Sequence, residues 1–381
     1  MRLLPVVLVL LPAGGCAYYL LCLWSAHKFL RQRPAEPGFT PPISILKPLK
    51  GMDPEIYASL RSHCVQEYPE YEIIFGVHDA NDPAVGSVEQ LQGEFPALAI
   101  QLVVCPKALG GNRKVSNLVQ MLPHARYEHL LVNDSDIRVE ADYLRRVIAP
   151  LRTDGVGLVT CLYRGIAGGT LPSRLEALGI STDFCGGALA AIQLDGGLDF
   201  GLGSTLVFRR ADLHSVGGFE ALVDYLADDY QLAQRLTQKG RGGWLSEVVV
   251  ETFLPPYSWR RFFQHQVRWS RNVRDLRGWS YLGAGMTFGV PWALVVLAVS
   301  RGALWAWSVL GLTLALRMWM AWAVGVGVAR DRQVRRLFWL VPVRDLVGLV
   351  IWAAGLFGST VVWRGESFRL RNGKLTRLSG A

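Results

Sequence analysis

Two aspartates separated by one residue, Asp134 and Asp136, directly follow the apolar run 130–132. A buried strand that ends in two carboxylates can hold a divalent cation against a diphosphate. Mg²⁺ and Mn²⁺ prefer oxygen ligands, and such sites often combine one or two protein carboxylates with phosphate oxygens. The segment also fits an ordinary turn, because Asp and Ser side chains hydrogen-bond to their own backbone there. Taken alone, it is explained by either a metal site or a turn.

Two further segments supply acids that could join this pair. Asp79 follows the apolar segment 73–77, and ligands of α/β sheets bind at the carboxyl ends of the strands. Asp228 and Asp229 begin the helical pattern 230–238. They fit a helix N-cap with a favourable dipole interaction. Alternatively, one of them is a general base that takes a proton from an attacking alcohol.

A glycine pair precedes the helix predicted over 112–122. Lys114 and Asn117 lie on its first turn, where the helix N-terminus favours anions. Gly110 and Gly111 would let the backbone approach a ligand closely. A glycine turn with solvated charges explains the same residues, so the nucleotide contact is predicted only in combination with the acids.

A basic, aromatic helix is predicted over 257–274 and carries His265, Arg268 and Trp269. Arg and Trp side chains can anchor a helix at a lipid surface. They can equally neutralise a departing diphosphate and stack on a sugar, and the residues alone leave both roles open.

Short apolar runs alternate with helical patterns between residues 43 and 255. This alternation predicts an α/β domain with a mostly parallel sheet and helices on both faces. The predicted strands are 43–46, 73–77, 102–105, 130–133 and 156–161, and the predicted helices are 54–65, 112–122 and 141–151.

The composition indicates a membrane protein. Of the 381 residues, 51% are hydrophobic and 19% are charged. The uncharged segment 3–24 is long enough for a transmembrane helix, which takes ~20 residues. Lys28, Arg31 and Arg33 follow it, and the positive-inside rule then predicts that the N-terminus lies outside and the bulk of the chain is cytoplasmic. A signal peptide or lipoprotein signal is the alternative interpretation.

The C-terminal third is apolar again. Segments 281–300 and 302–328 are predicted to be two spans, and the arginine-rich loop after them should face the cytoplasm. A third segment, 338–363, is interrupted by Arg344 and Asp345. It either crosses the membrane or stays interfacial, and this decides on which side the tail lies.

Charges inside apolar segments are candidates for functional sites. Arg317, Arg344 and Asp345 therefore indicate either a lipid-headgroup cavity or interhelical pairing. Much of the net charge of +9 lies beside apolar segments, which favours anionic lipid over nucleic acid as a partner. The six cysteines show no metal-binding spacing, so no structural zinc is predicted.

Several of these motifs, in this order, resemble the D, D, D, (Q/R)xxRW signature of processive and lipid-acceptor glycosyltransferases with the GT-A fold. The matching positions are Asp79, Asp134 and Asp136, Asp229, and Arg268 with Trp269. Residues 44–51, 112–118, 134–139, 227–230 and 367–371 are similar to the ceramide glucosyltransferase family. Residues 158–165 and 245–252 resemble its bacterial hopanoid-biosynthesis branch, which is expected to glycosylate a bacteriohopane polyol from UDP-N-acetylglucosamine.

The resemblance implies a UDP-sugar donor and a metal ion. Asp79 is expected near the uracil, with Lys114 and Asn117 along the nucleotide. Mg²⁺ or Mn²⁺ is expected on Asp134 or Asp136, against the diphosphate.

The resemblance also implies the catalytic groups. Asp229 is expected to deprotonate a lipid hydroxyl in a single inverting displacement, while Arg268 stabilises the leaving UDP and Trp269 lies beside it. His265 departs from the signature, because Gln or Arg is usual three residues before the arginine.

The expected organisation follows from these motifs. It comprises an N-terminal transmembrane helix (1–28), a cytoplasmic GT-A domain (35–255), an interfacial helix (256–280), a C-terminal transmembrane region of two or three helices (281–363) and a basic tail (364–381). The expected location is the bacterial inner membrane, with UDP-glucose or UDP-N-acetylglucosamine as donor and a hopanoid or ceramide as acceptor. A processive polysaccharide synthase and a non-catalytic membrane scaffold that binds nucleotide-sugar or lipid are the alternatives.

Overall fold

An eight-stranded mixed sheet forms the centre of the α/β domain in the computed structural model, which describes residues 7–34, 38–363 and 366–378. Its strands are β1 (Ile43–Pro48), β2 (Tyr71–Val77), β3 (Ala99–Val104), β4 (His129–Val132), β5 (Ile137–Arg138), β6 (Val156–Ile166), β7 (Leu206–Arg209) and β8 (Gly242–Phe253). Their spatial order is β3-β2-β1-β4-β7-β6-β8-β5.

All five predicted strands form, and the sheet adds three that the sequence patterns did not predict. β1 pairs in parallel with β2 and β4, so the carboxyl ends of these strands share one edge. β7 runs antiparallel to both β4 and β6, and β5 runs antiparallel to β8. The sheet, expected to be mostly parallel, is therefore mixed on one side. The antiparallel strands β5 and β7 are too short to give an apolar run that the sequence pattern could show.

Helices cover both faces of the sheet. Alternate residues of β1 enter different hydrophobic clusters: Ile43 and Ile45 face one, and Leu46 faces the other. A strand covered on both sides has a nearly continuous apolar sequence. The covering helices are Ile56–Cys64, Val85–Glu94, Arg113–Met121, Tyr143–Ile148, Arg210–Ser215 and Asp228–Gln238.

Among the described residues, three helices are long and apolar enough to cross a membrane: Leu171–Leu194, Leu304–Val328 and Arg332–Gly355. A bent pair, Ser280–Thr287 with Gly289–Val299, makes a fourth if it is one span. Leu171–Leu194 lies inside the predicted soluble domain, and two thirds of its apolar window is buried against other parts of the protein. The pattern of segment 171–194 alone cannot distinguish a buried helix from a span.

The predicted N-terminal helix forms over Leu10–Leu30. It is not one of those three, so its crossing stays a prediction, and residues 1–6 lie outside the described part. It packs against the 171–194 helix, where Cys22 Sγ contacts Gly186 O at 3.5 Å and Lys28 Nζ donates to Gln193 Oε1 at 2.9 Å.

The charges within the apolar helices pair with one another. Arg317 is 2% exposed and binds Asp345 through Nη2 at 2.8 Å and through Nε at 2.9 Å. Its Nη2 also lies 2.5 Å from Asp183 Oδ1. Arg344 Nη2 donates to Gln266 Oε1 at 3.1 Å on the helix Trp259–Arg277. Of the two interpretations of these charges, the structure shows interhelical pairing.

The C-terminal segment 338–363 is not one apolar helix. The helix Val341–Gly355 ends well before residue 363, and the chain then forms a small antiparallel sheet. Its strands are β9 (Thr360–Trp363), β10 (Glu366–Arg371) and β11 (Lys374–Arg377). Part of the predicted basic tail is thus an ordered hairpin.

This hairpin packs against the α/β domain. Leu226 N donates to Gly373 O at 2.9 Å, and Leu375 N donates to Asp224 O at 2.7 Å. Leu226 and Leu375 are buried in one small cluster with Phe368. The hairpin therefore lies on the same side of the molecule as the loop that leads to Asp228 and Asp229.

Candidate active site

The turn after β4 is held from behind by a buried lysine. Lys47 Nζ donates to Asn133 Oδ1 at 2.7 Å and to Asp134 O at 3.0 Å. Asn133 Nδ2 donates in turn to His63 Nε2 at 2.8 Å. Burial lowers the pKa of Lys47 to about 7, although Asp136 and Asp134 oppose this. The sequence signal that was missed is a lysine within an otherwise apolar strand.

Lys114 lies among the acids. Its Nζ is 2.8 Å from Asp134 Oδ1 and 3.3 Å from Asp228 Oδ2. Burial lowers the pKa of Lys114, but Asp134 and Asp228 more than offset this and raise it above its ordinary value. The ammonium group therefore stays charged and neutralises carboxylates that the sequence places far apart.

Asp229 is held by two backbone N–H groups. Its Oδ2 accepts from Gly203 N at 2.7 Å, and its Oδ1 accepts from Tyr230 N at 2.8 Å. Burial and the charge of Asp228 raise the pKa of Asp229 to about 7. A carboxylate with a pKa near the working pH suits general base catalysis.

Gly203 lets two carboxylates converge. A Cβ at this position would lie 2.8 Å from Asp134 Oδ2 and 3.4 Å from Asp229 Oδ2. Any larger residue would fill the space between the end of β4 and the start of the helix Asp228–Gln238. No motif in the sequence marked this glycine.

Asp136 lies deeper beside the same cluster. Its Oδ2 accepts from Thr252 Oγ1 at 2.6 Å. Burial, followed by the charge of Asp134, raises the pKa of Asp136 to about 6, while the Thr252 hydrogen bond acts in the opposite direction. Mutual repulsion of this kind is relieved when a cation binds between the acids.

The residues present fit a divalent cation that is shared with a ligand. Asp134 and Asp136 supply hard carboxylate oxygens, and Lys114 marks a place where a positive charge is already stabilised. Within the described residues, no group of three His, Cys, Asp or Glu side chains is arranged to hold a metal alone. The remaining ligands would come from diphosphate oxygens, as is usual for Mg²⁺ sites of this kind.

Asp79 and Asn117 both lie beside the carboxyl end of β2. Asp79 is exposed at the end of β2, with β1 between it and β4, and its Oδ1 accepts from Asn81 N at 2.9 Å. Asn117 is 5% exposed, and its Nδ2 reaches Gly76 O at 3.4 Å. Asn117 therefore joins its helix to β2, while Asp79 lies open at the edge of the sheet, and the nucleotide contacts expected of both residues stay predictions.

The two glycines before Lys114 allow other backbone segments of the protein to pack closely against them. A Cβ at Gly110 would lie 2.6 Å from Val223 O, and one at Gly111 would lie 2.7 Å from Leu375 O. The backbone at Gly110 thus lies close to the loop before Asp228, and the backbone at Gly111 lies close to the C-terminal hairpin, where the sequence predicted a close approach to a ligand.

The predicted basic, aromatic helix forms over Trp259–Arg277, and its position at a membrane interface stays a prediction. Trp269 Nε1 donates to His265 Nε2 at 3.1 Å, and the Arg268 guanidinium lies 5.8 Å from the Trp269 ring. Tyr257, just before the helix, stacks on His265 with ring centroids 5.6 Å apart.

Tyr257 connects this helix to the acids. Burial and then Glu176 raise the pKa of its hydroxyl, Arg268 lowers it, and Asp136 raises it further. The charges of Arg268 and Asp136 thus both act on the Tyr257 hydroxyl. Tyr257 and Glu176 were not predicted, since nothing in their local sequence distinguishes them.

Comparison with known proteins agrees with this architecture. A profile described as "Glycosyl transferase family 21" matches residues 7–376. Ceramide glucosyltransferase 1 of Caenorhabditis elegans is 22% identical over 407 residues, covering 97% of this chain and 82% of the relative. The ceramide glucosyltransferase of Komagataella phaffii is 33% identical over 149 residues, covering 38% of this chain and 28% of the relative.

A solved structure shows the same fold. The mannosyltransferase PcManGT of Pyrobaculum calidifontis, in complex with GDP-Man and Mn²⁺, has a TM-score of 0.56 at 19% identity and covers 93% of this chain and 97% of its own. The predicted GT-A fold is confirmed. Since the family profile spans almost the whole chain, this protein belongs to glycosyl transferase family 21.

Proposed function

We propose that this protein is a membrane-bound, metal-assisted inverting glycosyltransferase that moves a hexose from a UDP-sugar to a lipid hydroxyl, with a hopanoid polyol or a ceramide as acceptor. The observation that carries the proposal is the convergence of Asp134 and Asp229 on Gly203, with Lys114 bridging Asp134 to Asp228. The names of the relatives support a lipid acceptor, and the chain spans 82% of the first and half or less of several others.

The donor would lie at the carboxyl end of β4. Asp134 and Asp136 would hold Mg²⁺ or Mn²⁺, which supplies Lewis-acid stabilisation of charge on the diphosphate. Lys114 lies next to Asp134. If a metal ion bound Asp134, Lys114 would be free to contact a phosphate oxygen instead. Arg268, from the interfacial helix, neutralises the charge that develops on the leaving UDP.

The acceptor would approach from the membrane side. Asp229 takes the proton of the lipid hydroxyl as the hydroxyl oxygen attacks C1 of the sugar. The bond between C1 and the UDP oxygen breaks in the same step. The two backbone N–H donors of Gly203 and Tyr230 orient the carboxylate for this transfer. The apolar helices hold the lipid chain at the cytosolic face of what we propose to be a bacterial inner membrane.

The test is transfer by purified protein. The protein is incubated with UDP-glucose or UDP-N-acetylglucosamine, Mn²⁺ and either ceramide or a hopanoid polyol, and the product mass is measured. A single added hexose is expected, whereas a ladder of masses would identify a processive synthase. Metal-independent UDP binding without any product would favour a non-catalytic scaffold.

The Asp229→Asn variant tests the assigned base. Turnover should fall by about 10²–10⁴-fold, the typical contribution of a general base. The affinity for UDP in the presence of Mn²⁺ should change little, since the amide replaces the carboxylate without changing its size. Asp154→Asn, an exposed position in a turn, is the matched control and should keep the native rate. A near-native rate in Asp229→Asn would exclude the assignment.

A further inference from the structure

His265 is held in a single orientation. The helix Trp259–Arg277 places His265 and Trp269 one turn apart, on the same face. Because Trp269 Nε1 donates to His265 Nε2, that nitrogen accepts, and a neutral His265 must carry its proton on Nδ1. Tyr257 covers one face of the ring at an interplanar angle of 21°.

The protonated side of the imidazole faces Glu176. His265 Nδ1 lies 2.9 Å from Glu176 Oε1, at ion-pair distance although not aligned for a linear hydrogen bond. The Glu176 side chain is 3% exposed, and its Oε2 is buried without a hydrogen-bond partner in the described residues. A buried carboxylate is costly unless it is compensated, so its retention beside His265 indicates a role for the pair.

Glu176 comes from a different element than His265. It lies on Leu171–Gly179, the first part of the long apolar helix that follows β6. The contact therefore ties the interfacial helix to the catalytic domain, close to Tyr257 and Arg268.

We propose that Glu176 is a positioning residue for glycosyl transfer: it fixes the ring orientation of His265 and, through the Trp269 hydrogen bond, the placement of Trp269 and Arg268. This rests on the proposed function, since it assigns Arg268 to the leaving diphosphate. His265 and Glu176 then replace together what one Gln or Arg does in the family signature.

A double-mutant cycle tests whether Glu176 acts on catalysis through His265. Glu176→Gln keeps the size of the side chain and should lower kcat about ten- to hundredfold, because small misplacements of a catalytic group cost that much. The KM for UDP-sugar should stay within about twofold, since donor contacts are not removed. In a His265→Ala background, Glu176→Gln should have no further effect on kcat.

Glu72→Gln is the matched control. Glu72 is a 5% exposed carboxylate paired with Arg126, remote from the acids after β4 in the sheet, and its variant should keep the native kcat. The positioning role would be overturned if Glu176→Gln kept the native kcat. It would also be overturned if the losses of kcat in Glu176→Gln and His265→Ala were additive in the double variant. Those outcomes leave the proposed function standing, provided that the native protein transfers sugar.

A readout without turnover separates the two proposals further. The ¹⁵N shifts of the His265 ring, identified by their loss in His265→Gln, should show the Nδ1–H tautomer in the native protein. Because the Trp269 bond to Nε2 by itself favours this tautomer, Glu176→Gln should instead loosen the ring and weaken that bond, which shifts the Nε2 resonance. A ring that is unchanged in this variant would contradict the inference even if no acceptor lipid is found.

Discussion

At the residue scale, the site combines acids with cations that hold them in place. Asp134 contacts Lys114 on its open side, and its backbone oxygen accepts from Lys47 on its buried side. The carboxylate is thus aimed at Gly203, where it meets Asp229. Preorganised charges of this kind stabilise developing charge without rearrangement during the reaction.

The pKa of Asp229 predicts a pH profile. Because burial and Asp228 raise it to about 7, Asp229 is protonated below that pH and cannot accept the proton of an alcohol. The ratio kcat/KM should therefore fall about tenfold per pH unit below the pKa and level off above it. A pH series with the native protein checks this, and the residual rate of Asp229→Asn should lack the acidic limb.

Removal of the buried lysine should disturb the acids indirectly. Lys47→Met fills the space but removes the ammonium donor of Asn133 Oδ1 and leaves Asp134 O with only the longer bond from Ile137 N at 3.4 Å. An unsatisfied buried polar group costs about 1–3 kcal/mol. Thermal unfolding should shift to lower temperature, and turnover should fall while the mass of the product stays the same. Lys107→Met, an exposed position, is the control. Native turnover in Lys47→Met would contradict this support role.

At the element scale, the C-terminal hairpin supports the loop that leads to Asp229. It bonds to Asp224 and Leu226 through Gly373 and Leu375. Arg271 donates to Phe357 O at 2.9 Å, so the interfacial helix holds the chain that leads to the hairpin. The hairpin therefore connects the helix that carries Arg268 to the loop before Asp229.

Weakening the hairpin should lower both stability and activity. Leu375→Ala removes a side chain that is 4% exposed, and such truncations of a buried leucine cost about 2–5 kcal/mol. The free energy of unfolding should fall, and kcat should fall with it because the loop before Asp229 loses its anchor. Arg369→Ala, on an exposed position of β10, should change neither quantity. A stability loss with unchanged kcat would show that the hairpin does not position the base.

At the scale of the whole molecule, the C-terminal hairpin and the α/β domain must lie on the same side of any membrane that the apolar helices cross. The backbone bonds between the hairpin and residues 224 and 226 require this, whatever path the helix Arg332–Gly355 takes. Exposed tryptophans on the apolar helices, such as Trp305, Trp307 and Trp319, fit the aromatic belts of membrane proteins.

Cysteine accessibility checks this arrangement. Arg371→Cys in the hairpin and Asp154→Cys in the catalytic domain should react with a membrane-impermeant thiol reagent from the same side. Arg301→Cys, in the turn between Gly289–Val299 and Leu304–Trp322, should react from the opposite side if both helices cross. Labelling of Arg371→Cys from the side opposite to Asp154→Cys would contradict the observed packing of the tail.

Much of the fold and of the site was predictable from local patterns. The strand before Asp134, the helix start at Asp228 and Asp229, and the basic aromatic helix with His265 each have a signal within a few residues, because periodicity and capping are local. Acids at the ends of parallel strands predict a shared edge, and the alternation of elements predicts the α/β class.

Contacts between distant segments were decided only by the tertiary structure. Lys47 behind Asp134, Gly203 between two carboxylates, and Glu176 beside His265 join residues from different elements, and no local pattern encodes such pairs. The same holds for Gly110 and Gly111, whose close approach is to the protein's own chain. Periodicity shows which face of an element is buried, whereas its partner depends on how all elements pack together.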